Sequence, residues 1–450
     1  MMSCHQLDAM HFSRNSLSVC SCFIMNSLDI PMSDEHHAPT ATAVPRSYRN
    51  THSVIDSADR NLAEAEQKGI MALYVEPYRD RSVLLAPKLG GEQVVDFVRC
   101  SYLGLDNHPS ILKGATDAVR RHKALHWSCA RTRLNFNLLG DLEEALSDLF
   151  SARIVTYTTV LAANMGALPI LASGHLTGNK RPVVVFDRLA HATLAFHKPV
   201  VADETQVETI PHNDLNALED ICRRNQQVAY VCDGVYSMGG SAPIADLLML
   251  QNRYGLFLYI DDAHGISLFG KSGEGFARSQ IAQDLGERTI IAASLGKGFG
   301  ASGGLLMLGT QRQEELFRRF SIAYAFSASL NLAAIGAAMA SQALHRTTEL
   351  KLRQDALADR IAAFDRIVAS KQAHSKLPIR TIEFGDETSS IAAARRLLDK
   401  GFYTSAIFFP TVAKGMAGLR VCPTAGHSIE EIEELGQAIN QALAERPANP

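Results

Sequence analysis

Residues 293–304 read ASLGKGFGASGG, and one lysine, Lys297, stands there among glycines, serines and alanines. A stretch with almost no side chains lets other atoms approach the backbone closely. A lysine held against apolar walls loses charge stabilisation, its pKa falls, and the free amine becomes a nucleophile toward a carbonyl, with a Schiff base as the product. Two phosphate-loop readings of the same letters fail. Gly298, Gly300 and Gly303 match GxGxxG, but that fingerprint opens a helix, and GLLMLGT here reads as a strand. A P-loop requires Ser or Thr after its lysine, and Gly298 occupies that place.

The carbonyl partner that suits such an amine is pyridoxal phosphate. Its chemistry calls for a carboxylate at the pyridine nitrogen, hydrogen bonds to the phenolic oxygen, donors for the phosphate and a flat group against the ring. Asp261, in YIDDAHGISLFGKSGEG, supplies the carboxylate, with the adjoining Asp262 as an alternative. His264 suits the phenolic oxygen, His191 in DRLAHATL suits the ring face, and Ser294 suits the phosphate. Each has an ordinary alternative: a core histidine, a turn-capping carboxylate, a solvated loop lysine.

The elements that must position these residues are short apolar runs at 183–186, 228–232, 257–260, 289–293 and 305–308. Continuous apolar runs predict strands buried on both faces, hence an α/β fold whose mostly parallel central sheet is sandwiched by helices. Asp187, Asp233, Asp261–Asp262, and Ser294 with Lys297 follow four consecutive runs. Ligands in open α/β sheets bind beyond the carboxyl ends of the strands, so four polar strand ends predict one shared site. The last two runs are close enough to pair directly. Helices are predicted at 62–73, at 141–150 and, as a buried packing helix, at 321–344. After about residue 350 a charged helix (349–368) leads into strands at 379–384, 402–407 and 418–421, with helices at 389–400 and 428–443. Ser428 and Glu431 make a capping box for the last helix. The domain reading is a disordered extension over 1–50, a helical and strand segment over 51–100, a large cofactor-binding domain over 101–345 and a small C-terminal α+β domain over 346–450.

Composition limits the partners. A net charge of −3 gives no electrostatic case for nucleic acid or an anionic membrane. The stretch 321–344 is too weakly apolar for an integral membrane span. The eight cysteines show no zinc-ligand spacing, so no metal and no disulfide framework is expected, and a reducing, cytoplasmic setting fits. The first forty-odd residues lack the form of a secretory signal, and Met25 and Met32 are alternative starts.

Six segments in order make the chain similar to the α-oxoamine synthases, pyridoxal-phosphate enzymes of fold type I. SYLGLDNHP (101–109) resembles their NYLGLxxHP, and DRLAHATL their DxxxHAS. DGVYSMGGSAPI (233–244) resembles EGVFSMDGDxAPL, and IDDAHGISLFGKSGEG resembles VDEAHSxGxxGxxGxG. SLGKGFGASGG resembles TxxKAFGxxGG, and LRVCPTAGH (419–427) resembles LRxxxxAxH. The resemblance implies that Lys297 bonds the cofactor, Asp261 pairs with the ring nitrogen, His264 and Ser237 lie near the phenolic oxygen, and His191 stacks on the ring. Ser294 would contact the phosphate, with Ser327 and Ser329 of a neighbouring subunit completing that site in a homodimer. Arg420 would bind the amino-acid carboxylate. The implied reaction condenses an amino acid with an acyl-CoA, releasing coenzyme A and carbon dioxide to give an α-aminoketone. An aminotransferase or lyase of the same fold, and a non-catalytic partner subunit, are the alternatives.

The chain departs from the pattern at TVLAAN (159–164), where Val160 replaces a glycine and Leu161 an aromatic residue, and at AIFFPTV (406–412), where Phe408 replaces an arginine. The Phe408–Phe409 pair and FGDET (384–388) are closer to the long-chain aminoketone (autoinducer) synthases. They suggest a medium or long acyl chain, with Phe408 as a substrate contact or simply a packing residue.

Overall fold

A computed structural model describes residues 51–78, 83–86, 92–126 and 130–446. The expected disordered extension, and the cysteines at 4, 20, 22 and 129, lie outside the described residues.

All five apolar runs are strands. The sheet order is Arg153–Tyr157, Gly304–Leu308, Thr289–Ser294, Phe257–Asp261, Val228–Asp233, Val183–Asp187 and Val207–Ile210. The last five are mutually parallel, and Gly304–Leu308 runs antiparallel to both its neighbours. Every residue of the strands at 183, 228, 257 and 304 is buried, because alternate side chains feed two separate cores. Leu258, Ile260 and Ile291 enter one, with Leu142, Leu146 and Ile335 from its covering helices. Tyr259, Ile290 and Ala292 enter the other, with Ala167, Leu171 and Phe317. Burying each large aliphatic side chain stabilises the fold by about 1.5–3 kcal/mol, so a charge on either face would cost the sheet directly.

The two edge strands were not legible as apolar runs. Val207–Ile210 reads VETI and leaves its middle half-exposed, and Arg153–Tyr157 starts on an exposed arginine. The single helix expected over 321–344 is two, Ile322–Ala325 and Leu332–His345. The second begins where the Asn331 side chain accepts the Ala334 amide, an N-cap that restarts the helix.

The C-terminal strands Arg380–Gly385, Ala417–Val421 and Ser405–Ile407 form an antiparallel sheet. Phe402–Tyr403 leaves it to pair in parallel with Glu92–Asp96, so the strand expected at 402–407 is split between two sheets. The capping box of Ser428 and Glu431 is present at the start of Ile429–Ala444. Among the described residues no helix is long and apolar enough to cross a membrane.

Candidate active site

The register of the parallel strands places Asp233 beside Asp261, and Asp261 beside Ala292 of the strand that leads into Lys297. After Ser294 the chain closes a tight loop. The Leu295 amide donates to the Gly303 carbonyl at 2.9 Å, Ala301 to Leu295 at 2.8 Å and Gly300 to Lys297 at 2.9 Å. Two glycines are required there. A Cβ on Gly298 would lie 2.7 Å from Leu268 Cδ1 and 2.9 Å from the Ile266 carbonyl. Gly300 has φ +73° and is packed onto Leu105. The poverty of side chains around Lys297 is thus the condition for pressing its loop against neighbouring backbone.

The amine points into the site. Lys297 Nζ lies 2.7 Å from His264 Nε2, and the Tyr102 hydroxyl lies 2.6 Å from His264 Nδ1. Burial lowers the Lys297 amine from the usual lysine range and Arg420 adds to this, while Cys100, Asp261 and Asp233 oppose it. Burial and the Lys297 charge push His264 down to about 4, so its ring is neutral near neutral pH. Burial raises the Tyr102 phenol well above its usual value, leaving it a hydrogen-bonding hydroxyl.

The choice between the two aspartates follows from the alternation of side chains along a strand. The Asp261 carboxylate accepts Asn164 Nδ2 at 3.0 Å and the Ala263 amide at 3.1 Å. Asn164 Oδ1 accepts the Tyr259 hydroxyl at 2.7 Å, and its amide also reaches Thr193 Oγ1 at 3.2 Å. Thr193 Oγ1 lies 2.8 Å from His191 Nδ1, so one amide ties the carboxylate to the histidine. Asp262 instead takes the Ala277 amide at 3.0 Å, and burial pushes its carboxyl up to about 8. His191 is half-buried and its backbone amide donates to Asp233 at 3.0 Å. Burial, with Lys297 adding to it, lowers its pKa. Burial and the adjoining Asp261 raise the Asp233 carboxyl well above its usual value.

The remaining expected residues fall around this network unevenly. Ser294 Oγ accepts the Gly296 amide at 3.3 Å. The Ser237 carbonyl accepts Arg420 Nε at 2.7 Å, which brings the buried Arg420 to the site. Ser327 and Ser329 donate within their own segment, to Ala323 and Leu330 carbonyls at 2.6 and 3.0 Å. Phe408 is buried in the C-terminal core with Phe97, Phe402 and Leu419. Tyr102, Asn164, Thr193 and Cys100 are network members that sequence reasoning did not assign, although Tyr102, Asn164 and Thr193 stood inside quoted motifs; Asp233 was expected only as a polar strand end.

This donor set fits pyridoxal 5'-phosphate. A lowered amine, a buried carboxylate with no cation bonded to it among the described residues, and a half-buried imidazole share one strand-end cluster. Thr159 caps the helix Val160–Ala172 by accepting the Ala162 amide at 3.1 Å. The preceding first-turn amides, of Val160 and Leu161, have no intrahelical acceptor and suit a phosphate. Because those donors are backbone groups, the replacement of glycine by Val160 does not remove them.

Comparison with known proteins points the same way. Residues 92–439 match the family model for "Aminotransferase class I and II". An 8-amino-7-oxononanoate synthase of Alcanivorax borkumensis is 31% identical over 81% of this chain and 94% of its own. Another, of Alkaliphilus metalliredigens, is 30% identical over 79% of this chain and 90% of its own. Among solved structures, a serine palmitoyltransferase from S. paucimobilis superposes with a TM-score of 0.77 at 20% identity, over 88% of this chain and all of that one. An 8-amino-7-oxononanoate synthase from Francisella tularensis gives 0.65 at 19% identity, over 78% and 98%. At those identities the superpositions establish the fold.

Proposed function

This chain belongs to the α-oxoamine synthases, pyridoxal-phosphate-dependent acyltransferases within the class I and II aminotransferase family, and from that premise we propose how its residues divide the work. Bound pyridoxal phosphate supplies an electron sink for negative charge on the α-carbon of an amino acid. Lys297 removes the α-proton; burial lowers its amine from the usual lysine range, toward the free base that this step uses. Neutral His264, fixed by Tyr102, holds the amine in place and accepts its hydrogen bond. Asp261, held by Asn164, offers its carboxylate to the ring nitrogen, and His191 offers its ring face. Arg420, anchored on the Ser237 carbonyl, offers its guanidinium to the substrate carboxylate. The α-carbon then attacks the carbonyl of an acyl thioester; coenzyme A leaves as the thiol and the carboxylate leaves as carbon dioxide.

The observation that carries this reading is the 2.7 Å contact between Lys297 and a neutral His264 beside a buried carboxylate. The test is release of free thiol when the purified holoenzyme is mixed with small amino acids and acyl-CoAs, with the aminoketone identified by mass. An enzyme that turns over amino and keto acids without releasing thiol would be an aminotransferase instead.

The acyl chain is medium or long: Phe409, next to buried Phe408, remains half-buried at a position beside the C-terminal sheet. Faster turnover of acetyl-CoA than of decanoyl-CoA would end that reading. The enzyme works as a cytoplasmic homodimer. Leu161 and Met165 are exposed one turn apart on the helix Val160–Ala172, and the adjoining Ile322–Ala325 segment exposes Ile322 and, just beyond it, Phe326 at 78%. Ser327 and Ser329 follow directly, where a partner subunit would meet them. Phe326→Glu is expected to give a monomer in sedimentation with activity lost alongside; a dimer of wild-type stability would oppose the reading.

A further inference from the structure

Cys100 and Cys422 lie on two segments that run together. The Cys422 amide donates to the Phe97 carbonyl at 2.8 Å, and the Ala425 amide to the Tyr102 carbonyl at 2.7 Å. Across these paired segments the Cys422 side chain faces the Cys100 thiol as a hydrogen-bonding neighbour. Arg420 Nη2 donates to Cys100 Sγ at 3.4 Å, and the same sulfur contacts His264. Both cysteines are free. Cys100 is half-buried on the side of the site, and Cys422 is sealed in the core. The condensation chemistry uses neither sulfur.

We propose that Cys100 is a peroxide-reactive modification site and that Cys422 is its resolving partner, the two closing to a disulfide beside Lys297. The hydrogen bond from Cys422 lowers the Cys100 thiol far below its usual value, and His264 and Arg420 reinforce this against the cost of burial. The same shared proton, with burial, raises Cys422 well above its own. The charge therefore sits on the sulfur nearer Arg420, and the thiolate is the attacking form.

In the first step the Cys100 sulfur attacks the terminal oxygen of a hydroperoxide. A sulfur–oxygen bond forms, the oxygen–oxygen bond breaks, and the departing alkoxide takes a proton from solvent and leaves as alcohol, or as water from hydrogen peroxide. The sulfur is oxidised by two electrons and the peroxide is reduced by two. In the second step the Cys422 thiol gives up its proton and attacks the sulfenic sulfur; the disulfide forms and water leaves. Two thiols and one hydroperoxide yield one disulfide, one alcohol and one water. The bond removes the negative sulfur from Arg420 and His264 and ties the end of Ala417–Val421 to the segment that carries Tyr102. Oxidation thereby disturbs the Tyr102–His264–Lys297 chain. That consequence rests on the functional reading above, whereas the disulfide itself does not.

The test treats reduced, full-length holoenzyme with stoichiometric hydrogen peroxide, blocks remaining thiols with N-ethylmaleimide and maps the peptides by mass. The expected result is a cross-linked pair joining Cys100 to Cys422, reversed by dithiothreitol, with activity falling about tenfold through the lost charge-assisted contact and returning on reduction. In Cys422→Ala, dimedone should tag Cys100 as the sulfenic acid; if that variant does not fold, the wild-type map decides alone. Cys100 still fully alkylated after peroxide, or a disulfide to another cysteine, overturns the proposal. A Cys100–Cys422 bond formed with no loss of activity overturns the coupling to Lys297 and leaves the enzyme reading untouched.

Discussion

Two buried charge clusters in this protein are built on opposite plans. Glu143 accepts Arg131 Nη2, Arg318 Nη2 and the Thr156 amide at 2.8 Å each, and the Thr156 hydroxyl at 2.7 Å. Burial raises its carboxyl, but the two guanidinium groups outweigh burial and hold it below the usual range. Tyr324 adds its ring face to Arg131 at 4.0 Å. Each ionised group there has a partner of opposite charge. Lys297, by contrast, is bonded to a neutral imidazole, and Asp261 is held by an amide side chain and a backbone N–H. The first cluster is saturated and serves the fold. The second keeps its charges under-compensated, as reactive groups require.

The largest expected effect that separates the two is Lys297→Ala, which should reduce aminoketone formation by about a thousandfold or more while leaving thermal stability unchanged or raised. Asp261→Asn should follow, with kcat down about a hundredfold from the loss of charge at the ring nitrogen. Glu143→Gln should do the reverse: it strands Arg131 and Arg318 and destabilises the fold by about 3 kcal/mol, with kcat of the folded fraction unchanged. A Glu143→Gln protein of normal stability and low kcat would dissolve the contrast.

The pH responses should differ too. Glu143 has a lowered carboxyl, so its stabilisation is full above the unfolded value near 4.5 and is lost as pH falls through the lower folded value. The stability gap between wild type and Glu143→Gln should therefore close in acid, as followed by denaturant melts. At the other cluster, activity should fall as pH drops toward about 4, where His264 protonates. Its rise with Lys297 deprotonation should level off below the range of an ordinary lysine, because burial lowers that amine. A kcat/KM still climbing above pH 10 would contradict this. The smallest effect is expected from Tyr102→Phe, a loss of about fivefold in kcat from one hydroxyl bond to His264.

The sheet was legible because strands buried on both faces must be apolar throughout, which exposes their polar ends as the site. VETI and RIVTY escaped because edge strands carry polar positions that break the run. Lys297, His264, Asp261 and His191 could be singled out for a related reason: Asp261 ends a strand, and the others stand three or four residues beyond a strand end. The residues that hold them could not. Asn164 reaches Asp261 across 97 positions and Tyr102 reaches His264 across 162, contacts that no local spacing records. Phe408 shows the limit of a single position: the sequence left it open as a substrate contact or a packing residue, and its burial in the C-terminal core is a matter of packing that no local spacing records.

The most direct measurement is borohydride reduction of the holoenzyme followed by peptide mapping. The account predicts a phosphopyridoxyl group on Lys297, with loss of the visible band near about 420 nm that a lysine-bound cofactor gives. The label on another lysine, such as Lys198, or on none, would contradict it.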